Sequence, residues 1–537
     1  MTDVISVEIV RTPNQDQVDT IVGDLVADGV ASKLTAKDAT LWGPEAESES
    51  AIRLSWTSLH ETSRPLVDEI IALRGELRAE GVDRVVLAGM GGSSLAPEVI
   101  TGTAGVPLVV LDTTDPAQVA DALAGDLQRT VIVVSSKSGG TVETDSHRRI
   151  FAKAFADAGI DAASRIVVVT DPGSPFESLS KELGYRKVFL ADPNVGGRYS
   201  ALTAFGLVPS GLAGADIGGL LDQAADAAKL LATDSPDNPA IVLAATFGAA
   251  HAHGAEKVVF ADSGSGIKGF ADWAEQLIAE STGKNGTGLL PVAVEGPGAP
   301  GFVDARSDAT TVAIGPATGS SSVAVEGSLG AQFLLWEYAT AIVGRVLGIN
   351  PFDQPDVEAA KKAARSLLDA PAASPVTPAF VDGPVEVYPS EGWLPTDVKT
   401  VADALTALIA AAPDHGYVSV QAYLDRLDDA SFALLRPEIA RKSHLQTTFG
   451  WGPRFLHSTG QYHKGGHQNG VFLQITGVSE EDLEVPDRPY SLSVLQLAQA
   501  LGDGQVLASH RPVLRLHLTD RVAGLAQLVE AIQEDGS

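Results

Sequence analysis

A turn rich in hydroxyl groups is the strongest chemical feature of this sequence. Residues 135–144, SSKSGGTVET, place Ser136, Ser138 and Thr141 beside Lys137, between an apolar run and a helical pattern. An ordinary strand-to-helix turn needs one N-cap hydroxyl, whereas this turn supplies several donors and a cation. Such a set of donors suits a ligand with many oxygen acceptors, although one turn of this kind is also compatible with ordinary turn chemistry.

A second turn combines glycines and serines in the same way. Residues 89–98, GMGGSSLAPE, put Gly91, Gly92 and Ser93 at the end of another apolar run. In an open parallel sheet, ligands bind at the carboxyl ends of strands, where backbone N–H groups and helix N-termini favour anions. Neither turn has the Gly-Lys-Ser/Thr ending of a nucleotide P-loop or a full dinucleotide fingerprint. Two such turns in one sheet favour a phosphate site.

Charged and amide side chains in three further segments could act on a bound ligand. Arg198 follows two glycines in GGRYS, and Glu280 follows Gln276 by one helical turn in QLIAESTGK. Gln354 and Lys361 lie in the segment INPFDQPDVEAAKK. Taken singly, each charged residue has an ordinary interpretation: a structural ion pair for the arginine, a surface carboxylate for the glutamate and a solvent-facing side chain for the lysine.

Three histidines cluster near the carboxyl end of the chain. The segment FLHSTGQYHKGGHQNG contains His457, His463 and His467 among glycines. Their spacing is not that of a metal site, and the segment carries no carboxylate that could complete one. We therefore expect no metal there.

The composition restricts the class of protein. The 537 residues are 45% hydrophobic and 20% charged, as in globular proteins, and the absence of cysteine excludes disulfides and thiolate metal sites. The net charge of −30 argues against non-specific nucleic-acid binding. The start of the chain lacks a signal-peptide pattern, and no uncharged apolar run reaches the ~18 residues of a membrane span. We expect a cytoplasmic protein with neither a nucleic-acid nor a membrane partner.

Apolar runs alternate with helical patterns from residue 83 to residue 215, which favours a parallel sheet. The runs are RVVLAGM, PLVVLDTT, TVIVVSS, RIVVVTDP and KVFLADP, and such continuous runs suit strands buried on both faces. A second unit begins near residue 235, and YVSVQAYL, GVFLQITG and VLRLHLTD predict a third α/β portion. The predicted segments are an N-terminal extension (1–64), two α/β domains (65–232 and 233–367) and a C-terminal α/β portion (368–537) that opens on a Pro/Ala-rich linker (368–384).

Taken together and in order, these segments resemble the phosphoglucose isomerase family. GMGGSSLAPE and SSKSGGTVET are similar to its two sugar-phosphate loops, GGRYS to its glycine-glycine-arginine signature, QLIAESTGK to the helix end with its catalytic glutamate, and the segment ending in VEAAKK to its carboxyl-terminal lysine signature. The common form of the family has a histidine between the glutamate and the lysine, but residues 281–362 contain none. The nearest match, STGQYHKGG, lies downstream. This order resembles the isomerase portion of fused transaldolase-isomerase proteins, although the roughly 80 residues before the first loop are too few for a transaldolase barrel.

The resemblance implies a fold of two doubly wound sugar-isomerase-type (SIS) domains plus the C-terminal α/β portion. It implies a cofactor-free aldose-ketose isomerase of glycolysis and gluconeogenesis, a homodimer that interconverts glucose 6-phosphate and fructose 6-phosphate through an enediol. The implied catalytic residues are Glu280 as the base, Arg198 as the stabiliser of the enediolate, and Lys361 with His463 for ring opening, with His457 and His467 as alternative histidines. The implied substrate-binding residues are Gly91, Gly92, Ser93, Ser136, Lys137, Ser138, Thr141, Gln276 and Gln354.

Two alternatives remain open at this point. A non-catalytic sugar-phosphate sensor would keep the two loops but would not need Glu280, Arg198 and Lys361 together. An isomerase of broader specificity, acting also on mannose 6-phosphate, would carry the same residues.

Overall fold

Three sheets form the framework of the protein, which a computed structural model describes over residues 4–369 and 377–533. The strands are β1 (Ile5–Ile9), β2 (Arg84–Gly89), β3 (Val109–Leu111), β4 (Thr130–Ser135), β5 (Ile166–Thr170), β6 (Lys187–Leu190), β7 (Lys257–Asp262), β8 (Leu290–Ala293), β9 (Ala309–Ile314), β10 (Val323–Gly327), β11 (Phe380–Asp382), β12 (Val385–Pro389), β13 (Tyr417–Tyr423), β14 (Gln446–Trp451), β15 (Gly470–Gly477) and β16 (Val513–Leu518).

Helices connect and cover these strands. They are α1 (Gln15–Ala27), α2 (Val30–Thr35), α3 (Glu47–Ser50), α4 (Leu59–Thr62), α5 (Arg64–Ala79), α6 (Leu95–Ala104), α7 (Pro116–Ala124), α8 (Val142–Asp157), α9 (Pro175–Glu182), α10 (Ala204–Ala213), α11 (Ile217–Leu231), α12 (Pro239–Ala252), α13 (Phe270–Thr282), α14 (Leu329–Val346), α15 (Val357–Asp369), α16 (Val401–Ala410), α17 (Leu435–Ser443), α18 (Gly460–Gly465), α19 (Leu492–Ala508) and α20 (Arg521–Gln533). Within the described ranges, no helix combines the length and the apolar composition needed to cross a bilayer.

The first sheet has the strand order β3-β2-β4-β5-β6, and all neighbouring strands are parallel. The strands β4 and β5 are buried along their whole length, because helices cover both faces of the sheet. The five apolar runs of the sequence coincide with β2 to β6, so the predicted parallel α/β unit is confirmed. The two loops rich in glycine and hydroxyl residues follow β2 and β4, which are neighbours in the sheet. They therefore lie side by side at one edge.

The second sheet has the order β1-β10-β9-β7-β8. Its members are parallel except β1, which pairs antiparallel with β10 in the register Ile5 to Gly327. The segment 1–64 was predicted as an extension. In the structure its first strand joins the second sheet, and α1 packs against α12.

The third sheet has the order β11-β12-β16-β15-β13-β14, with the antiparallel strands β11 and β12 at one edge. It is the predicted C-terminal α/β portion, and the predicted α/β fold class is confirmed as a whole. Of the predicted linker 368–384, residues 370–376 lie outside the described residues, and β11 falls within its last part.

The third unit packs against both of the others. Leu492 and Leu495 of α19 share a core with strands of the first sheet, while Tyr417 and Phe472 share one with the second sheet. A buried ion pair adds a polar link, since Arg454, after β14, lies 2.8 Å from the carboxylate of Asp112 at the end of β3. These contacts bring the segment 454–465 to the edge where the two loops lie.

One core residue gives a prediction about stability. Glu337, in the middle of α14, is 0% exposed, and neither of its carboxyl oxygens has a hydrogen-bond partner within the described residues. Burial raises the pKa of this carboxyl well above its usual value. The folded protein therefore keeps a proton that the unfolded chain has already released at lower pH. Because of this difference, the free energy of unfolding falls as the pH rises from the pKa of the unfolded state towards that of the folded state.

We expect Glu337→Met to raise the free energy of unfolding by about 1–3 kcal/mol, the usual cost of a buried polar group without a partner. The gain should be larger at pH 8 than at pH 5, because only the wild-type protein has the penalty of ionisation. Urea unfolding at both pH values measures it, with Glu530→Gln on the exposed face of α20 as the control. A variant less stable than wild type at pH 8 would contradict this account.

Candidate active site

A cavity of about 690 Å³ opens where the carboxyl ends of β2 and β4 meet the second and third units. Two groups of the predicted residues line it. The first group belongs to the two loops: Gly91, Gly92, Ser93, Lys137, Ser138 and Thr141. The second group comes from the rest of the chain: Arg198, Gln276, Glu280, Gln354 and Lys361.

The loop after β4 is shaped by its own hydroxyl groups. The Ser136 Oγ lies 2.9 Å from the Thr141 Oγ1 and accepts a hydrogen bond from the Gly139 N–H at 3.1 Å. Ser136 itself is buried behind the loop, whereas Ser138, Gly140 and Thr141 line the cavity. Helix α8 begins directly after Thr141, so its N-terminus and the positive end of its dipole lie at the cavity wall. This wall is suited to an anion.

The loop after β2 is in close contact with the glycine-glycine-arginine turn. A Cβ added to Gly92 would lie 2.0 Å from the carbonyl oxygen of Gly197. Gly91 has a φ of +55°, and a Cβ there would lie 2.7 Å from the carbonyl oxygen of His457. From the sequence, both glycines are predicted to bind the phosphate. The structure shows that both also allow the backbone to approach neighbouring segments.

The predicted catalytic glutamate and arginine lie side by side. The Glu280 side chain is near the end of α13, and its Oε2 lies 3.5 Å from Arg198 Nη1 and 3.4 Å from Gln276 Nε2. Gln276 precedes Glu280 by one helical turn, so both side chains lie on one face of α13. Glu280 is 8% exposed and Arg198 is 3% exposed. The two charges are thus largely removed from bulk water.

The Arg198 guanidinium is fixed by the segment that follows α14. Its Nη2 donates to the carbonyl oxygens of Pro351 at 2.8 Å and Asp353 at 2.9 Å, and its Nη1 donates to Gln354 Oε1 at 2.9 Å. Its Nε donates to Ser281 Oγ at 2.9 Å. All three nitrogens of the group are therefore engaged, and its orientation towards Glu280 is set before any ligand binds.

The charge state of Glu280 follows from opposing effects. Burial raises its pKa, and the charges of Arg198, His457 and Lys361 and the hydrogen bond from Gln276 counteract that rise in part. A carboxylate with a raised pKa that remains next to cations is a stronger base than an exposed one. This is the environment expected of a group that accepts and returns a proton.

One of the three predicted histidines lies in the cavity, and it is His457. Its Nε2 is 3.1 Å from the Oε1 of Glu143, on the first turn of α8, and Gln499 Nε2 donates to the same oxygen at 2.7 Å. Burial raises the pKa of Glu143, but the charge and hydrogen bond of His457, a backbone hydrogen bond and the charge of Lys361 together outweigh it, so the net shift is downward. Glu143 thus stays a carboxylate that orients the imidazole.

His463, the histidine preferred from the sequence, lies elsewhere. It is 2% exposed, with its Nδ1 3.0 Å from the Tyr417 hydroxyl, its Nε2 3.3 Å from the Ser419 hydroxyl, and its ring stacked on that of Tyr417. Burial lowers its pKa to about 3, so the ring is neutral. His467 lies outside the cavity, and its Nδ1 is 2.9 Å from Glu256 Oε2. The choice of His463 therefore needs correction: α18 turns this side chain into the core.

Sequence reasoning also missed Glu143 and Gln499. Glu143 had a local signal, since it stands two residues after Thr141 on the first turn of the same helix. Gln499 had none, because it lies 356 residues from the carboxylate that it contacts.

The described residues offer no cluster of metal ligands in this cavity. The only group of three carboxylates within 4.8 Å of one another in those ranges is Asp121, Asp425 and Asp428, which lies outside the cavity and is of a kind common without an ion.

Known proteins of similar sequence carry one family name. The sequence profile of the family named phosphoglucose isomerase matches residues 58–289. A probable glucose-6-phosphate isomerase of Haloarcula marismortui is 30% identical over 342 residues, which cover 53% of this chain and 78% of that protein. The glucose-6-phosphate isomerase of Rubrobacter xylanophilus is 28% identical, with 56% and 86% covered.

Solved structures share the fold. A hypothetical protein from Thermus thermophilus superimposes with a TM-score of 0.58 and 25% identity, covering 68% of this chain and all of that one. A glucose-6-phosphate isomerase from Chlamydia trachomatis gives a TM-score of 0.55 at 19% identity, covering 68% and 89%. These matches define the class of the protein: it is an isomerase with an α/β architecture. The chain belongs to the phosphoglucose isomerase family.

The contact between the two glycine loops gives a prediction. We expect Gly92→Ala to lower the free energy of unfolding by about 1–3 kcal/mol, because the added methyl group displaces the Gly197 carbonyl. The matched control is Gly75→Ala in α5, where a Cβ meets nothing within 4 Å. That change should stabilise by about 0.5–1 kcal/mol through helix propensity. Chemical unfolding of both variants measures the change in the free energy of unfolding. A Gly92→Ala protein as stable as wild type would show that the two loops can separate without loss of stability.

Proposed function

We propose that this isomerase interconverts glucose 6-phosphate and fructose 6-phosphate through an enediol(ate). One observation carries the proposal: the buried Glu280 carboxylate, flanked by Arg198 and Gln276, faces the same cavity as the anion-binding loop after β4. A hexose phosphate held by its phosphate would present its first carbons to a base at fixed distance. The reaction needs one base because C1 and C2 are neighbours.

The phosphate is assigned to the loop of residues 136–141. Its support is the pair of hydroxyl groups of Ser138 and Thr141 on the cavity wall, with the N-terminus of α8 behind them. Binding energy from this non-reacting group positions the reacting carbons.

The proton transfer is assigned to Glu280. Starting from the open-chain aldose, the carboxylate removes the C2 proton, the electron pair forms the C1–C2 double bond, and O1 gains the negative charge. Arg198 stabilises that charge. The O2 proton is then lost as the C2 carbonyl forms, O1 is protonated, and the Glu280 carboxyl returns its proton to C1. The net change moves one hydrogen from C2 to C1 and one proton from O2 to O1.

Ring opening is assigned to His457, with Lys361 on the same cavity wall. The imidazole can move a proton between the ring oxygen and the C1 hydroxyl, and Glu143 orients it through the contact at 3.1 Å. This replaces the assignment of His463. The homodimer and the cytoplasmic location implied by the family resemblance stay predictions.

The glutamate carries the reaction class. We expect Glu280→Gln to lower kcat by at least about 10²–10⁴, because an amide cannot accept the C2 proton. A coupled assay with glucose 6-phosphate and with fructose 6-phosphate measures turnover, and mannose 6-phosphate tests for broader specificity. Proton exchange in heavy water, read at C1 and C2, should disappear with turnover, whereas sugar-phosphate binding should persist.

Glu275→Gln on the same helix is the matched control. The Glu275 carboxyl accepts a hydrogen bond from the Ala293 N–H at 3.2 Å, which an amide oxygen can also accept, and it does not line the cavity. Wild-type turnover in Glu280→Gln would move the base to another residue. A protein that binds sugar phosphates without any turnover would instead be the non-catalytic sensor.

The histidines separate the structural assignment from the sequence-based one. We expect His457→Gln to lower kcat by about 10²–10⁴ on ring-form substrate, the usual contribution of a positioned acid or base. His463→Gln should reduce stability but leave kcat per folded molecule nearly unchanged, and the exposed His467→Gln should change neither. Steady-state kinetics with unfolding curves for the three variants test this; a low kcat confined to folded His463→Gln would restore the first assignment.

A further inference from the structure

Arg53 lines the cavity beside the phosphate loop but belongs to neither of the family's loops nor to the matched residues 58–289. It lies in the turn after α3, where the chain docks on the segment after β6 through a bridge between Leu54 and Val195. Its Nε donates to Glu49 Oε1 at 2.8 Å and its Nη1 to the carbonyl oxygen of Pro193 at 3.2 Å. The guanidinium is thus held by two of its three nitrogens. The third, Nη2, has no protein partner within the described residues and remains available.

The same cavity wall holds a carboxylate that an anion site does not need. Asp171, directly after β5, forms an ion pair with Lys137 through Oδ2, while its Oδ1 is buried without a hydrogen-bond partner in the described ranges. Both residues line the cavity with Arg53. Burial raises the pKa of Asp171, and Lys137 and Arg53 counteract that rise in part. Arg53 is therefore close enough to Asp171 for its charge to stabilise the ionised carboxylate.

The balance of charge decides what Arg53 can do. Lys137 is the one cation of the loop after β4, and Asp171 neutralises it. A phosphate ester carries a charge of about −1.5 to −2 near pH 7, whereas the loop offers it neutral hydroxyl and amide donors and the partial positive charge of the α8 N-terminus. Arg53 is itself paired with Glu49 through Nε, but its Nη2 adds a charge-assisted donor in a geometry suited to phosphate oxygens.

We propose that Arg53 is a substrate-specificity residue that donates from Nη2 to the phosphate of the substrate, next to Lys137, whose charge Asp171 offsets. This inference rests on the proposed sugar-phosphate function and assigns the selection for phosphorylated over neutral sugars to a residue outside the two loops. It predicts opposite effects for the arginine and the aspartate. Loss of Arg53 removes a donor from the phosphate, whereas loss of the Asp171 charge removes a repulsion and releases Lys137.

The test compares Arg53→Met, Arg53→Lys and Asp171→Asn in the full chain. We expect Arg53→Met to raise KM for glucose 6-phosphate by about 10- to 100-fold, the usual weight of a charged hydrogen bond, with kcat within about threefold of wild type. The dissociation constant of inorganic phosphate, measured by calorimetry without turnover, should rise by a similar factor. Arg53→Lys should restore part of the affinity, and Asp171→Asn should bind inorganic phosphate more tightly than wild type.

Arg129→Met is the matched control, since Arg129 is an exposed arginine paired with Asp83 outside the cavity. Unchanged KM and phosphate affinity in Arg53→Met would overturn the proposal, as would weaker phosphate binding by Asp171→Asn. If Arg53→Met does not fold, the opposite shifts of Arg53→Lys and Asp171→Asn still decide. If the wild-type protein binds phosphate but does not isomerise the sugar, the proposed function fails while the calorimetric comparison still judges Arg53.

Discussion

Burying the Arg198 guanidinium is the constraint on which the arrangement of the cavity depends. A cation taken out of water must be given hydrogen-bond acceptors, and this one takes them from the backbone of residues 351 and 353 and from Gln354. Lys284 draws on the same segment, donating to the carbonyl oxygens of Asn350 at 2.7 Å and Asp353. Two buried cations thus hold one irregular segment in shape, and the segment in return aims the arginine at Glu280.

The sequence was informative wherever the signal was local. The loops after β2 and β4, the arginine after two glycines and the glutamate at the end of α13 each combine a chemical group with its own turn or helix end, so short segments sufficed to predict them. The continuous apolar runs predicted the first sheet for the same reason. By contrast, β1 carried no sign that its partner lies more than 300 residues away, and the contact of Gln499 with Glu143 depends on how separate units pack.

The choice between His457 and His463 shows most clearly what a sequence motif cannot predict. The choice of His463 rested on the alignment of STGQYHKGG with a family pattern, which gives a residue type and an approximate position but not a direction. The direction is set by α18, a short helix that turns His463 against Tyr417, while His457 precedes it on the side of the first sheet. The close approach of Gly91 to the His457 backbone, and the ion pair of Arg454 with Asp112, hold that segment in place. None of these contacts is visible in a motif.

The pairing of β1 with β10 has a consequence for biosynthesis. A chain made from its N-terminus presents residues 5–9 long before residues 323–327 exist, whereas the first sheet draws on residues 84–190 alone. The residues of the first sheet are therefore all available while β1 is still unpaired. Long-range strand pairings of this kind form slowly. Its sequence ISVEI carries the exposed Glu8, and a charge on an unpaired strand opposes association with other chains. The cavity also needs His457 and Gln499 from the third unit, so it cannot be complete before these late residues have been synthesised.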